Sequence, residues 1–478
     1  MKKNYLLNLL NTVAGILFPI LSFPYASKIL GPVGIGKVQF SLSFAEYFAL
    51  FAALGIPIYG IREVAKSKHS RQLLSKVFSE LLLIYLISSL LMTFAYAGVI
   101  SLPFFETDRQ LYITGILIVG LAFSSIDWFY AGLEEFALIS VRSIIVKLCA
   151  LILLYTIVKT PDDYLIYLLV IVFSLMGNNI FNWLVIRKRV TISFKNLNLS
   201  RHYRPLTAIF CTSLAVSIYT IFDTVLLGFL ADPHSVGLYT AGVKLTKISL
   251  PFVTSLGTIL IPRLSKLVAE GNINSTQELL QKSYVFIVYF SIPISTGLAL
   301  LAPEFIEVFS GRQFLGAVPA MRILSTLPVI IGLGHLFLFQ IIVPNSKNKE
   351  MFFSVLGGVI ISLLLNLMLI PYFKDVGAAI GNVGAEITVT FLYFFFIRKY
   401  SLFNLKVNLV WQGILASALF IPLVFGVRLV SGTNSWMVLI LSIPLCAALY
   451  ITFQSLIFSN NLISQYIRVL ISKFNIST

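Results

Sequence analysis

Long apolar segments separated by short polar segments run along almost the whole chain. A membrane-spanning helix needs about 20 mostly apolar residues, and fourteen segments reach or approach that length. This pattern predicts an all-α polytopic membrane protein. The predicted spans are 6–30, 38–60, 81–102, 111–130, 141–158, 164–186, 205–230, 237–261, 283–302, 319–343, 351–372, 377–397, 409–430 and 436–458.

Composition narrows the class of protein. Of the 478 residues, 58% are hydrophobic and only 11% are charged, whereas a soluble protein carries roughly 25% charged residues. The net charge of +16 could indicate nucleic-acid binding. The basic residues, however, lie in short loops between apolar segments, so we expect no nucleic-acid partner.

The positions of these basic residues orient the predicted spans. With the N-terminus inside, the cytoplasmic loops and termini hold 24 of the 35 lysines and arginines, as the positive-inside rule requires. The external loops are short and acidic or neutral, as at Glu106–Asp108. We therefore predict that both termini face the cytoplasm.

The polar residues do not indicate metal or cofactor chemistry. Cys149, Cys211 and Cys446 lie within apolar segments, and the four histidines are scattered. No Cys, His or Asp cluster has metal-ligand spacing, so we expect no metal and no cofactor. The segment Gly31–Gly36 lacks the Lys-Ser/Thr ending of a phosphate loop and is interpreted as an external turn or hinge.

A polar cytoplasmic stretch suggests two halves. It follows the sixth predicted span and begins with Arg187-Lys188-Arg189. Short Leu-Gly and Val-Gly pairs recur on both sides of it, and repeated six-helix halves are a transporter plan. The predicted organisation is two six-helix lobes, at 1–190 and 205–400, a linker at 191–204 and two additional helices within 401–478.

Ionisable side chains inside membrane spans are rare and are functional candidates by default. Lys28 lies in a helix that also contains Pro19 and Pro24. Lys244 and Lys247 are three residues apart and share a helix face, where their charges repel unless an anion lies opposite. We predict that these three lysines form a cradle for a phosphate or pyrophosphate group.

Four carboxylates in the spans have two possible roles. Each could couple transport to a proton or sodium ion, or could pair structurally with a cation. Asp127 and Arg142 fit the structural role best, because both lie near the cytoplasmic edge. The candidates for ion coupling are Glu46, Asp127, Asp223 and Glu386.

Several motifs occur in a specific order along the chain. They are Phe23-Pro24-Tyr25 through Lys28-Ile29-Leu30-Gly31-Pro32, Gly55 through Tyr59-Gly60-Ile61-Arg62-Glu63, Asp127 to Glu134 with Arg142 and Lys147, Asp223 with Leu227-Gly228, Val236 to Tyr239 with Lys244, Pro262-Arg263, and Gly377 to Ile380 with Glu386. In these motifs the chain resembles the Wzx-type polysaccharide flippases of the multidrug/oligosaccharidyl-lipid/polysaccharide exporter superfamily. It has lysine at position 28 where the family commonly has arginine, and Ala131 where glutamine is frequent.

The resemblance implies a V-shaped, two-lobed bundle that works by alternating access. It adds Arg62 and Lys147 to the predicted cradle. The implied substrate is an oligosaccharide repeat unit linked to undecaprenyl pyrophosphate, exported across the bacterial inner membrane by the membrane potential or by H⁺ or Na⁺ antiport. Membrane lipids are the other expected partners, and we expect no enzymatic activity.

Three other functions remain open at this point. A lipid II flippase would share the fold and the cationic cavity. A multidrug exporter of the same superfamily usually has an acidic cavity, which the membrane lysines disfavour. A membrane polysaccharide polymerase usually needs a large external loop to hold its acceptor. The longest predicted external loop here is Pro303 to Val318, which has 16 residues.

Overall fold

The computed structural model describes residues 2–398 and 407–456, and all regular secondary structure among them is helical. The predicted all-α membrane class is confirmed. Contacts between residues divide the chain into two compact units. The first unit comprises Met1–Thr240 and Asn366–Ala378, and the second comprises Ala241–Leu365 and Ala379–Thr478. The lobes and linker predicted from the sequence stay a prediction.

Long apolar segments form most of the helices, and proline or glycine interrupts several of them. In chain order, the described helices begin with α1 (Lys2–Ala53), α2 (Ile56–Ser67), α3 (Arg71–Ile100), α4 (Arg109–Gly120), α5 (Asp127–Gly132), α6 (Phe136–Ile157), α7 (Tyr164–Ile186), α8 (Ser200–Leu230) and α9 (Pro233–Ala269). They are followed by α10 (Ile273–Leu300), α11 (Ala302–Ser310), α12 (Val318–Leu324), α13 (Leu327–His335), α14 (Asn348–Arg398), α15 (Val407–Ala418), α16 (Phe420–Ser431) and α17 (Ser435–Leu456).

Helix α1 consists of two arms joined at Gly31. Gly31 has φ 68° and ψ 177°, a conformation that glycine adopts without the steric cost of a side chain. The predicted turn at this position is therefore present. The second arm ends at Ala53, because Leu54 and Gly55 both have positive φ. The predicted span 38–60 contains this break, because it joins the end of this arm to the start of a separate helix, α2.

Two proline-to-glycine segments of the first unit pack closely against each other. A Cβ atom on Gly36 would lie 1.7 Å from the carbonyl oxygen of Pro233. A Cβ atom on Gly237 would lie 1.9 Å from the carbonyl oxygen of Pro32. The start of the second arm of α1 therefore touches the start of α9 through backbone atoms, which requires glycine at both positions.

Helix α14 is a hairpin. Its non-helical residue is Lys374, with φ 48° and ψ −121°. Residues on either side of it meet in antiparallel order: a Cβ on Gly384 would lie 2.4 Å from the side chain of Leu365, and one on Gly357 would lie 2.5 Å from Leu392. The predicted spans 351–372 and 377–397 correspond to its two arms.

The number of membrane crossings follows from these breaks. In the part of the chain that the structure describes, ten helical segments are long and apolar enough to cross a membrane, and two bent helix pairs raise this number to twelve. The breaks in α1 and α14 would add one crossing each if every arm spans the membrane. The count of fourteen stays a prediction.

In the second unit, α15, α16 and α17 pack around an apolar cluster that includes Phe420, Val424 and Tyr450. An ion pair attaches this group to α11: Arg428 donates from Nε to Glu304 Oε1 at 2.6 Å and from Nη2 to Oε2 at 2.8 Å. This two-point contact fixes the orientation of the guanidinium as well as its charge. Part of the predicted segment 401–478, at 401–406 and 457–478, lies outside the described residues.

Candidate functional site: carboxylates beside helix breaks

Asp127 lies directly after a break in a predicted span. Helix α4 ends at Gly120, α5 begins at Asp127, and the two parts of the span are bent by 40°. Asp127 forms an ion pair with Arg142 of α6, and Arg142 is only 5% exposed. Asn182 of α7 also donates from Nδ2 to Asp127 Oδ1 at 2.7 Å. These contacts suit the structural role that the sequence favoured for Asp127 and Arg142, and the ion-coupling role of Asp127 stays a prediction.

Polar contacts around this pair stabilise the broken helix. The Tyr130 hydroxyl donates to the carbonyl oxygen of Asn182 at 2.7 Å, and the Arg142 guanidinium lies 5.2 Å from the centre of the Tyr130 ring. Asn179 donates to the Ser124 hydroxyl at 2.8 Å. Non-helical backbone at membrane depth is tolerated only where such partners are available, so this network explains how the break persists.

Asp223 lies just after a second break. The two parts of α8, Ser200–Ile218 and Ile221–Leu230, are bent by 56°. The Tyr47 hydroxyl donates to the carbonyl oxygen of Ser217 at 2.7 Å, immediately before the bend. A side chain that takes over a backbone hydrogen bond is a recognised cause of a helix kink, and no proline or glycine lies between Ser217 and Asp223.

Two neutral side chains donate hydrogen bonds to the Asp223 carboxylate. Asn366 of α14 donates from Nδ2 to Oδ1 at 2.7 Å, and the Tyr239 hydroxyl donates to Oδ2 at 3.1 Å. Asp223 is only 1% exposed. A buried carboxylate flanked by an amide and a hydroxyl supplies the oxygen ligands that hard cations prefer, and the same oxygens can accept a proton.

The predicted cationic residues of the first unit lie at separate levels. Lys28 precedes the break at Gly31 by three residues. The Nζ atom of Lys147 would be 3.7 Å from a Cβ on Gly15, and thirteen residues of helix between Gly15 and Lys28 span about 20 Å. Lys147 of α6 and Lys28 of α1 are therefore too far apart for one phosphate group to contact both. Arg62, on α2, is 3.7 Å from Glu63 and 58% exposed at its side chain.

The other predicted residues are distributed over three helices. Glu46 is half-buried on the second arm of α1, next to Tyr47. Lys244 and Lys247 lie on α9, and Glu386 lies on the second arm of α14, all three within the second unit. The anion cradle combines residues of both units, and it stays a prediction.

Reasoning from the sequence missed the amide and tyrosine partners of the two aspartates. Asn182 and Asn366 are completely buried within apolar helices. Buried amides in membrane helices hydrogen-bond across helices, so their presence in predicted spans was the available signal. Tyr47 and Tyr239 gave no comparable signal, because tyrosines are common in this chain.

The turn between α8 and α9 contains a further charged contact. Lys374, at the tip of the α14 hairpin, donates to Asp232 Oδ2 at 2.8 Å, and the backbone N–H of Ser235 donates to Oδ1 at 2.9 Å. Partial burial raises the pKa of Asp232, but the hydrogen bonds from Lys374 and Ser235 outweigh burial and hold this pKa below its ordinary value. Asp232 is therefore ionised at neutral pH.

Comparison with known proteins identifies the family. Residues 1–268, more than half of the chain, match the model of the family described as "Polysaccharide biosynthesis protein". The chain belongs to this polysaccharide biosynthesis protein family. The resemblance inferred from the sequence motifs is confirmed at this level.

Relatives of this family member carry transporter names. It is 26% identical over 396 residues to the "Putative O-antigen transporter" of Shigella dysenteriae, covering 81% of this chain and 98% of the relative. The protein of the same name in Escherichia coli K12 is 24% identical, covering 80% and 93%. The lipid II flippase MurJ of Bacillus subtilis is 25% identical over 34% of this chain and 30% of its own length.

Solved structures share the fold. A lipid II flippase MurJ structure in an inward closed conformation is 16% identical, with a TM-score of 0.72, and the match covers 97% of this chain and 100% of that one. An inward-facing multidrug resistance transporter of the MATE family has a TM-score of 0.62 at 16% identity, covering 81% and 94%. At this identity the likeness concerns the fold alone.

Proposed function

We propose that this protein is a flippase for oligosaccharide repeat units linked to undecaprenyl pyrophosphate. It moves them from the cytoplasmic to the periplasmic leaflet of the bacterial inner membrane by alternating access, with both termini in the cytoplasm. The observation that carries the proposal is the similarity to O-antigen transporters over nearly their whole length. The names of these relatives also support transport without an enzymatic step.

The energetics of the substrate agree with this direction of transport. An inside-negative membrane potential favours the outward movement of a negative charge by about 2.3 kcal/mol per charge per 100 mV. We propose that Lys28, Lys244 and Lys247, with Arg62 and Lys147, bind the pyrophosphate at successive stages of the cycle. Lys147 of α6 lies beside Gly15 of α1, about 20 Å along that helix from Lys28, and this separation supports binding in stages over one simultaneous contact. The halves that alternate are lobes 1–190 and 205–400, joined at 191–204.

The site beside the second helix break supports coupling to a cation. Asp223 is buried, lies just after a bend in its helix and receives hydrogen bonds from Asn366 and Tyr239. Ionisable residues at discontinuous membrane helices mark ion pathways in transporters. We propose that Asp223 binds the counter-ion, H⁺ or Na⁺. Asp127, which forms an ion pair with Arg142, Glu46 and Glu386 are the alternative candidates.

The test is transport in proteoliposomes with a fluorescent undecaprenyl-pyrophosphate oligosaccharide. Wild type should flip this lipid, and Lys28→Ala and Lys244→Ala should each lower the rate at least tenfold. Lys266→Ala is the matched control for Lys244→Ala, because it also lies on α9 but is 75% exposed at its side chain. Full activity in both binding-site variants would disprove the cationic cradle.

Two further substrates separate the alternatives. Transport of lipid II in preference to the oligosaccharide lipid would favour a lipid II flippase, and efflux of a cationic dye without lipid transport would favour a drug exporter. Appearance of polymerised glycan would favour a polymerase. For coupling, Asp223→Asn should abolish the dependence of the rate on a proton or sodium gradient, and a rate that keeps this dependence would reject Asp223 as the coupling site.

A further inference from the structure

The segment between α7 and α8 follows the surface of α3 through backbone hydrogen bonds. The N–H of Thr191 donates to the Ser75 hydroxyl at 3.1 Å, and the N–H of Ser193 donates to the Ser79 hydroxyl at 3.1 Å. Two residues of extended chain advance about 6.6 Å and four residues of α-helix advance about 6 Å. This agreement allows consecutive contacts without distortion of either segment.

A buried carboxylate extends this attachment to the first turn of α8. Glu80 of α3 is 0% exposed. Its Oε1 accepts from the backbone N–H of Asn198 at 2.8 Å, and its Oε2 pairs with Arg201 and lies 3.0 Å from His202 Nε2. One side chain of α3 thus holds both the end of the connecting segment and the beginning of α8.

Helix α2 joins the same network through its tyrosine. The Tyr59 hydroxyl lies 2.9 Å from His202 Nδ1, and both residues are buried. We call the five residues Tyr59, Glu80, Asn198, Arg201 and His202 the clasp. They connect three helices, α2, α3 and α8, to the segment between α7 and α8.

The surroundings of the clasp make its separation unfavourable. Tyr59 belongs to an apolar cluster that also contains Val190 and Leu206, which lie before and after the connecting segment. If this segment left α3, the Glu80 charge would remain in an apolar environment without its donors. Removing one partner from a buried ionic contact is strongly destabilising for this reason. The contact is therefore expected to persist while other parts of the molecule move.

We infer that Glu80 is a positioning residue that keeps residues 191–204 and the first part of α8 attached to α2 and α3 throughout the transport cycle. The first part of α8 then moves as one body with α2 and α3, and this moves the boundary between the alternating halves from residues 191–204 to the bend of α8. Asp223 lies beyond the bend of the same helix, so the clasp supplies a fixed base for the part of α8 that carries it. This inference rests on the proposed transport function.

A disulfide bond tests whether the contact opens. Ser79→Cys and Ser193→Cys are introduced together after Cys149, Cys211 and Cys446 are replaced by alanine. The hydrogen bond between these two positions places their Cα atoms within about 7 Å, the limit for a disulfide. The oxidised protein should flip the fluorescent oligosaccharide lipid at a rate within twofold of the reduced protein and of each single-cysteine variant. A tenfold or greater loss that a reductant reverses would overturn the inference.

A rescue experiment distinguishes positioning from other roles of Glu80. Glu80→Gln should lower the flipping rate about tenfold, while the exposed Glu134→Gln, which removes the partner of Lys68, should stay within twofold of wild type. Oxidation of the Ser79→Cys/Ser193→Cys pair in the Glu80→Gln protein should restore the rate to within threefold of wild type, because a covalent link replaces the ionic one. A folding role or a proton-carrying role would not be rescued by this link.

The two levels of the proposal fail in different ways. If the cysteine-free protein with an intact Glu80 flips no oligosaccharide lipid, the proposed function fails. If that protein is active but the oxidised pair is arrested, or Glu80→Gln is not rescued, the positioning inference fails while the transport function stands.

Discussion

The contact between Gly36 and Pro233 makes a quantitative prediction about stability. In Gly36→Ala, the new Cβ would lie 1.7 Å from the Pro233 carbonyl oxygen and 2.9 Å from the backbone nitrogen of Gly237. Both neighbours are backbone atoms, which cannot rotate away as a side chain can. The two segments would have to separate by about 1.3 Å to bring the closest contact to the 3.0 Å that real Cβ atoms observe.

Two opposing terms set the magnitude. Overpacking of this kind costs about 1–3 kcal/mol, whereas alanine is a better helix former than glycine by up to about 1 kcal/mol. We expect Gly36→Ala to lose about 1–2 kcal/mol of unfolding free energy. For a domain of some 250 residues, this lowers the apparent Tm by about 2–8 °C. The assay is thermal unfolding of the purified protein in detergent.

A glycine in open space provides the matched control. Gly98 lies within α3, and a Cβ there would have no heavy atom within 4 Å. Gly98→Ala should therefore leave the Tm unchanged or raise it by a few degrees. Gly237→Ala should lower the Tm about as much as Gly36→Ala. The double variant should lower it by less than the sum of the two, because either substitution alone already forces the two segments apart. Equal Tm changes for Gly36→Ala and Gly98→Ala would refute the reasoning.

Three other predictions concern charged contacts. Arg428→Ala should lose about 2–4 kcal/mol of unfolding free energy, because the Glu304 carboxylate, which is only 7% exposed, would remain buried without its cation. Thermal unfolding measures this loss. Asp127→Asn should lose about 1–3 kcal/mol by the same assay, because the buried Arg142 charge loses its partner while the Asp127 side chain itself is 46% exposed. The pKa of Asp232 in the folded protein lies below its ordinary value of 3.8. Its contribution to the free energy of unfolding is therefore complete above pH 3.8 and disappears as the pH falls through the folded pKa. The Tm difference between wild type and Asp232→Asn, followed from pH 7 to pH 3, should shrink accordingly.

Each of these predictions has its own control. Lys282→Ala removes an exposed partner of Glu278 and should change stability by less than about 1 kcal/mol; a loss as large as that of Arg428→Ala would contradict the first prediction. Replacing Arg142 together with Asp127 by neutral residues should recover part of the loss of Asp127→Asn, and no recovery would speak against an unpaired charge. A Tm difference for Asp232→Asn that grows below pH 4 would contradict the assigned sign.

The membrane class and most helices were predictable from the sequence because they depend on local composition. A segment of about 20 apolar residues forms a helix in a bilayer whatever its neighbours are, since every backbone polar group must be satisfied within it. The turn at Gly31 was predictable for the same local reason. The break within the predicted span 38–60 was not predictable, because Leu54 adopts a positive φ that its residue type does not favour.

The candidate site depended on contacts between distant segments. The sequence marked Asp127 and Asp223 as charges in apolar helices, which is unusual at any single position. It did not show that both follow a helix break, that Asn366 reaches Asp223 from 143 residues away, or that Tyr47 accompanies the bend in α8.

The clasp shows the same limit most clearly. Glu80 and His202 are 122 positions apart, and in the sequence each looks like an ordinary polar residue near the end of an apolar segment. Local apolarity by itself determined that this chain is a helical membrane protein, because the bilayer acts on each segment separately. Only the tertiary structure decided which polar groups meet, because hydrogen bonds and ion pairs depend on distances that the order of residues does not specify.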